Sequence, residues 1–190
     1  MKSLGVIPSV YPMPVLMVAA YDKNGKVNVM NAAWGITCYM DKIALFIDED
    51  HKTTMNIRES KAFTVSIADW EHVDVADFFG IATGNRMEDK FERIGYHAIK
   101  SGLVNAPIVT EFPLVMECEL AEIVQTDNIH AVVGRILDVK AKEEVLDEDG
   151  KVDPMKLDAL IFDQFRHGYY VTGEKVGTAW KSGKGLMKDR

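Results

Sequence analysis

The sequence lacks most of the features that mark secreted, zinc-binding and membrane-spanning proteins. Among its 190 residues are only two cysteines, Cys38 and Cys118, too few for a disulfide framework or a cysteine-ligated zinc cluster. Both lie in apolar, strand-like runs, so we expect buried free thiols, and reduced thiols are typical of a cytoplasmic protein. No apolar run approaches the ~18 residues of a membrane span. Pro8, Pro12 and Pro14 interrupt the run near the N-terminus, which argues against a signal peptide.

The chain also lacks an excess of positive charge. It carries 22 basic and 29 acidic residues, which gives a formal net charge of -7. Proteins that bind nucleic acids or anionic membranes broadly need a basic face. We therefore expect neither kind of partner, whereas a small basic pocket for a single phosphate remains compatible with this charge.

Familiar catalytic motifs are missing as well. The sequence has no G-x-G-x-x-G after a strand, no G-x-x-x-x-G-K-S/T, no H-E-x-x-H and no G-x-S-x-G. Its five histidines are scattered without the spacing of metal ligands. We predict no catalytic side chain and no metal site, so an enzyme with this sequence would rely on a bound cofactor for its chemistry.

What is present is the pattern of a mainly β protein. Hydrophobic residues make up 47% of the chain and charged residues 27%, as in ordinary globular proteins. Several apolar runs alternate as half-buried strands should, namely 14–21, 27–30, 35–40, 43–48, 62–68, 113–126, 130–142, 159–162 and 168–173. Helices are expected at 52–60, 73–81 and 87–95. We predict one domain over residues 1–190, mainly β with flanking α-helices (α+β), whose antiparallel sheet closes as a barrel.

Two segments offer candidate binding residues. In "DEDHKTTMNI" a strand leads into a helix, with His51, Lys52 and Thr53 at the junction. A helix N-terminus with a lysine and hydroxyls can cradle a phosphate, although an ordinary N-cap beside a solvated lysine has the same sequence. In "VNVMNAAWGITCYMDKIALFID" Trp34 precedes Gly35, which suits either a flat ligand against the backbone or a tight core.

Taken together and in order, several short motifs resemble the flavoredoxin group of the flavin reductase-like proteins. They are "MNAAWG", "HKTTMNI", "ESKAFTVSI", "ADFFGIATG", "DKF", "EFPLVMECEL" and "GEKVGTAW", and they extend over nearly the whole chain. The resemblance implies an antiparallel Greek-key split β-barrel that binds FMN. It also implies a homodimer with the cofactor near the subunit interface.

The resemblance assigns nine cofactor-binding residues: Asn31, Ala32, Ala33, Trp34, Asp48, His51, Lys52, Thr53 and Lys90. The first four would run along the isoalloxazine ring, which Trp34 would shield. Lys52 and Thr53 would bind the phosphate, with Asp48 and His51 as neighbours. Lys90 would be a cation beside the polar edge of the ring or beside the phosphate. Two acids so close to a phosphate, Asp48 and Asp50, depart from the family pattern.

The function that the resemblance implies is passage of hydride or electrons through FMN, as in an FMN-dependent oxidoreductase. NAD(P)H or a redox protein would supply the electrons, and the sequence does not choose between them. The alternative is a non-catalytic flavin-binding, storage or sensor protein on the same barrel. An oxidase of the pyridoxamine-phosphate type would need a second phosphate site, and no second cluster of arginine and histidine is present.

Overall fold

The computed structural model describes residues 1–187, and within that range it contains twelve β-strands and four α-helices. The strands are β1 (Met13–Pro14), β2 (Leu16–Tyr21), β3 (Val27–Ala32), β4 (Gly35–Tyr39), β5 (Lys42–Leu45), β6 (Ala62–Ile67), β7 (Ala98–Lys100), β8 (Pro107–Val109), β9 (Leu114–Gln125), β10 (His130–Ala141), β11 (Leu160–Asp163) and β12 (Gly168–Val171). The helices are α1 (Lys52–Ser60), α2 (Val73–Ile81), α3 (Lys90–Arg93) and α4 (Pro154–Leu157). None of these helices is long and apolar enough to cross a membrane.

Seven strands form the main sheet, in the order β3-β2-β6-β9-β10-β5-β4. Every neighbouring pair in it is antiparallel. The outer strands β3 and β4 are consecutive in the chain, and only Ala33 and Trp34 separate them. The two edges of the sheet therefore meet in sequence at this short connection, which places Ala33 and Trp34 at the opening of the split sheet.

The second strand, β2, is buried on both faces, which explains its continuous apolar sequence. Leu16, Val18 and Ala20 point into one core cluster, which also contains Ile57 of α1. The alternate residues of β2 point into a second cluster, which contains Phe79 of α2. The helices α1 and α2 therefore cover opposite sides of the same strand, and both lie close to its neighbour β3.

The longest ribbon of the sheet is the β9–β10 hairpin, as the sequence predicts. Its register shifts at Val133/Gly134, where the chain approaches Phe63 of β6. A Cβ atom at Gly134 would lie 2.3 Å from Cζ of the Phe63 ring. Only glycine fits there without displacing a fully buried aromatic side chain.

Two sequence expectations differ from the structure, and one feature of the structure was not expected. Cys38 is exposed rather than buried, because β4 is an edge strand whose residues after Gly35 all face solvent. The helix expected at 87–95 is only the single turn Lys90–Arg93. The two three-residue strands β7 and β8 were not expected, since such short runs carry no readable alternation.

Candidate functional site

A small polar cavity of about 90 Å³ lies between the start of α1 and the segment that follows α2. It is lined by Met30, Asn31, His51, Lys52, Thr53, Phe79, Gly80, Ile81, Ala82, Thr83, Gly84 and Lys90. Five of the nine residues proposed from the sequence are in this set: Asn31, His51, Lys52, Thr53 and Lys90. The fold therefore brings three separate segments of the expected site to one place.

The start of α1 forms one wall of this cavity. The extended residue His51 precedes the helix as its N-cap, and its side chain makes no capping hydrogen bond. An α-helix leaves its first N–H groups without intrahelical partners, and its dipole favours an anion there. Within residues 1–187, the buried Nδ1 atom of His51 also has no hydrogen-bond partner. Because these polar groups lack hydrogen-bond partners and lie beside Lys52, the start of α1 is suitable for binding an oxyanion such as a phosphate.

Thr53 and Lys52 are held in place by their neighbours. Thr53 is almost fully buried, and its Oγ1 accepts a 2.7 Å hydrogen bond from Nδ2 of Asn28. A hydroxyl can accept and donate at once, so the Thr53 hydrogen remains available to an oxygen in the cavity. A Cβ atom at Gly84 would lie 2.3 Å from Oδ1 of Asn28 and 3.1 Å from Cγ of Lys52. The bare backbone at Gly84 therefore packs directly against both side chains.

Lys90 contributes a buried positive charge to the same cavity. Only 3% of the residue is exposed, and its Nζ donates a 2.8 Å hydrogen bond to the carbonyl oxygen of Ala82. Burial lowers the pKa of Lys90 to about 8. Among residues 1–187 it makes no ion pair with a carboxylate. A buried ammonium without a counter-charge is costly, so an anionic ligand in the cavity would relieve part of that cost.

Asn31 connects the polar cavity with a second one. Its Nδ2 donates a 3.0 Å hydrogen bond to the carbonyl oxygen of Ala76 in α2. On its other side, Asn31 lines a cavity of about 150 Å³ together with Ala33, Gly80, Phe162 and Tyr169. The Tyr169 hydroxyl donates a 3.0 Å hydrogen bond to Oδ1 of Asp77. Burial, and then this hydrogen bond, raise the pKa of Tyr169 to about 12, so the phenol stays protonated and can act as a donor.

The third cavity is large and apolar. It has a volume of about 570 Å³ and lies at the opening of the split sheet. Its lining includes Ala33 and Trp34, together with Val10, Pro12, Met13, Pro14, Leu16, Gly35, Ile36, Thr37, Ile43, Phe46, Ile67 and Met116. Trp34 is 54% exposed, so its indole is available to a planar group and is not part of the core. Trp34 therefore forms an open wall, whereas Gly35 beside it is tightly packed, since a Cβ atom there would lie 2.5 Å from Cδ1 of Leu16 and 2.9 Å from Cδ2 of Leu45.

Two of the expected site residues line none of these three cavities. The side chain of Ala32 is buried in the core cluster that contains Leu16. Asp48 is exposed, and its backbone carbonyl accepts hydrogen bonds from the Thr54 hydroxyl at 2.7 Å and from the His51 N–H at 3.3 Å. Ligand atoms of Asp48, Asp50 and His51 lie within 4.8 Å of one another, but both carboxylates are exposed, and exposed acidic groups are common without a metal. Both acids thus face solvent and not the polar cavity.

Several lining residues escaped the sequence reasoning. Gly80, Thr83 and Gly84 form the wall opposite α1, and Tyr169 comes from β12. The stretch "ATGN" after α2 carries the signal of a tight glycine turn, which could have suggested Thr83 and Gly84, whereas Gly80 lies within α2 and carries no such signal. Tyr169 is far from the other residues in sequence, and only the fold brings it to the site.

The structure thus combines an antiparallel split sheet with a polar cavity that contains Lys52 and Lys90 and a large apolar cavity beside Trp34. The family model described as the flavin reductase like domain matches residues 9–168. The chain belongs to this flavin reductase-like family, and its fold is the family's mainly β, antiparallel split barrel.

Solved structures with flavoredoxin names are similar over nearly the whole chain. Flavoredoxin of Desulfovibrio vulgaris (Miyazaki F) is 36% identical, with a TM-score of 0.91 over 96% of this chain and 99% of that one. Flavoredoxin from Methanosarcina acetivorans is 26% identical, with a TM-score of 0.89 over 98% and 100% of the two chains. A curated relative from Aeropyrum pernix is 26% identical over 126 residues, which are 65% of this chain and 48% of that protein. The match therefore spans about half the length of that relative.

Proposed function

We propose that this chain binds FMN in the groove formed by the three cavities and passes hydride or electrons through it. The observation that carries the proposal is that the three cavities adjoin one another. The polar cavity and the middle cavity share Asn31 and Gly80, and the middle and apolar cavities share Ala33. A groove with a cationic end and an apolar end matches a cofactor with a phosphate at one end and a flat aromatic ring at the other.

At the phosphate end, the chain offers the donors that an oxyanion requires. Lys52, the Thr53 hydroxyl and the uncapped first turn of α1 would hold the phosphate. At the ring end, Ala33 lets the backbone come close, and Trp34 would lie against the isoalloxazine. Lys90 begins α3, and its Nζ lies at the end of α2, where its charge can act on the phosphate or on the polar edge of the ring.

When bound, FMN supplies the two-electron redox chemistry, and the chain supplies position, shielding from water and electrostatics. This division explains why no nucleophile or catalytic base stands out among the lining residues. A nicotinamide donor, NADH or NADPH, or a redox protein partner would deliver the electrons. The proposal therefore makes the chain an FMN-dependent oxidoreductase of the flavin reductase or flavoredoxin kind.

A second copy of the chain is expected to cover the open end of the groove. Large apolar side chains are exposed there, namely Trp34 (54%), Ile36 (64%), Tyr39 (67%), Met40 (93%) and Phe46 (44%). Contiguous exposed apolar surface of this kind is typical of a protein–protein interface. A homodimer with the cofactor near the interface is the arrangement that this surface supports.

The test is an absorbance spectrum of the freshly purified protein, followed by anaerobic addition of NADH and then NADPH. Flavin bands that bleach within seconds would support the reductase. A yellow protein that ignores both nucleotides would point to a carrier fed by a redox protein, or to the non-catalytic flavin-binding alternative. A colourless protein that cannot be reconstituted with FMN would contradict the proposal.

A further inference from the structure

The segment after β12, residues 173–187, extends away from the rest of the fold. Every residue in it is exposed. Its hydrogen bonds are local: the Ser182 hydroxyl donates to the Thr178 carbonyl at 3.0 Å and accepts from the Thr178 N–H at 2.8 Å. The last described hydrogen bond to the body of the fold is the one from Thr172 to the Pro154 carbonyl, at 3.5 Å. We call residues 173–187 the distal arm.

The distal arm exposes large apolar side chains to water. The exposed fractions are 103% for Val176, 93% for Trp180, 92% for Leu186 and 83% for Met187. Trp180 also has a φ of 58°, a left-handed conformation that bulky residues rarely adopt. Such a backbone persists where surrounding contacts enforce it, and a local turn with full solvent exposure supplies few of them. Both features indicate that the arm packs against a surface outside its own chain.

The distal arm and the body of the fold carry opposite net charges. The arm contains three lysines and one glutamate, whereas residues 1–171 contain 27 acidic and 17 basic residues. The body of a second copy therefore attracts the arm electrostatically. Fifteen residues reach at most roughly 50 Å when extended, which is enough to cross onto a neighbouring copy.

The large apolar cavity is the matching apolar surface. Its rim exposes Trp34, Ile36, Phe46 and Val10, and the distal arm of the same chain does not cover these side chains. We propose that the distal arm of one copy packs over this cavity in a second copy, with Trp180 placed at its mouth. In a symmetric dimer both cavities are covered in this way.

This inference rests on the proposed function, because the cavity is the ring end of the proposed FMN groove. It adds that the site is completed by a residue of the partner copy. Trp180 would then shield the cofactor or define the space left for an electron donor.

The native thiol Cys38 allows a direct test. It is exposed in β4, directly after the cavity-lining residue Thr37, whereas Cys118 is buried and its pKa is raised to about 12. Burial therefore leaves Cys38 as the reactive thiol. A maleimide-linked benzophenone on Cys38 is photolysed in an equal mixture of ¹⁴N and ¹⁵N chains, and cross-linked peptides are identified by mass. The Cys38→Ser variant is the matched control for labelling.

We expect cross-links that join residue 38 of one isotope to arm peptides of the other isotope. Cross-links to the arm within single chains only, or none to the arm at all, would overturn the inference.

Because the label itself could disturb packing, a second measurement is hydrogen exchange of residues 34–46 in the unlabelled full chain. Val176→Ala with Trp180→Ala should accelerate that exchange at least several-fold, whereas Trp70→Ala, at another exposed tryptophan, should not. Equal hydrogen-exchange rates at residues 34–46 in both variants would contradict the proposed packing of the distal arm.

The outcome is separable from that of the proposed function. Cross-linking requires no flavin, so a chain that cross-links between copies but never binds FMN would refute the proposed function alone. A chain that binds FMN but cross-links only within itself would refute only the proposed packing of the distal arm on a second copy.

Discussion

Replacing Lys90 with methionine removes the buried charge of the candidate site while keeping most of the side-chain volume. Burial lowers the pKa of Lys90 from 10.5 to about 8. At about 1.36 kcal/mol per pKa unit, this corresponds to roughly 3 kcal/mol of unfavourable charge burial. The substitution also leaves the Ala82 carbonyl without its 2.8 Å donor, at a cost of about 1–2 kcal/mol. We expect flavin-free Lys90→Met to be more stable than the original chain by about 1–2 kcal/mol.

The same substitution should weaken FMN binding. A hydrogen bond to a charged group contributes about 1.5–3 kcal/mol, which corresponds to a roughly 10- to 150-fold increase in Kd. The two effects have opposite signs, and this contrast distinguishes a ligand-binding lysine from a structural one. Urea unfolding of the flavin-free protein measures the first effect, and FMN titration by fluorescence measures the second.

The control for this pair of measurements is Lys100→Met, because Lys100 is exposed and makes no ion pair within residues 1–187. It should change neither quantity by more than about 0.5 kcal/mol. A Lys90→Met protein that loses stability without FMN and binds FMN as tightly as before would refute the reasoning. A change in the flavin reduction potential in this variant would place Lys90 at the ring edge, and an unchanged potential would place it at the phosphate.

Three further expectations follow from the same geometry. Lys52→Ala with Thr53→Ala should weaken FMN binding by about 2–4 kcal/mol through lost charge-assisted hydrogen bonds; unchanged affinity in a fluorescence titration would remove α1 from the site. Ala33→Leu should block FMN binding while the circular dichroism spectrum stays unchanged. Ala32→Leu should instead overpack the core and lower the melting temperature. If Ala33→Leu binds FMN as tightly as the original chain, the proposed groove is wrong. Because the unfolded state keeps the Lys90 proton up to a higher pH than the folded state, stability without FMN should rise from pH 8 to 10.5, and Lys90→Met should lack this rise.

Much of the fold could be predicted because the relevant signals are local. The apolar periodicity predicts α1 at 52–60 and α2 at 73–81, and both helices have those bounds. The β9–β10 ribbon also follows from alternation on either side of a short polar connection. These elements carry their own pattern and need no knowledge of the sheet order.

The site could be predicted only in part, because burial depends on tertiary packing. The four-residue spacing of Arg86 and Lys90 by itself favours two solvent-exposed charges, and only the family resemblance assigns Lys90 to the cofactor site. In the structure Lys90 turns inward against Phe79 and is buried, which no local pattern indicates. Cys38 shows the reverse case, since its apolar neighbours suggest burial while the edge position of β4 exposes it.

A crystal structure of the protein with FMN bound tests the central claim most directly. We expect the phosphate at the start of α1, in contact with Lys52 and Thr53, and the isoalloxazine ring beside Ala33 and Trp34. Density for FMN elsewhere, with the polar cavity between α1 and Gly84 filled only by water, would contradict it.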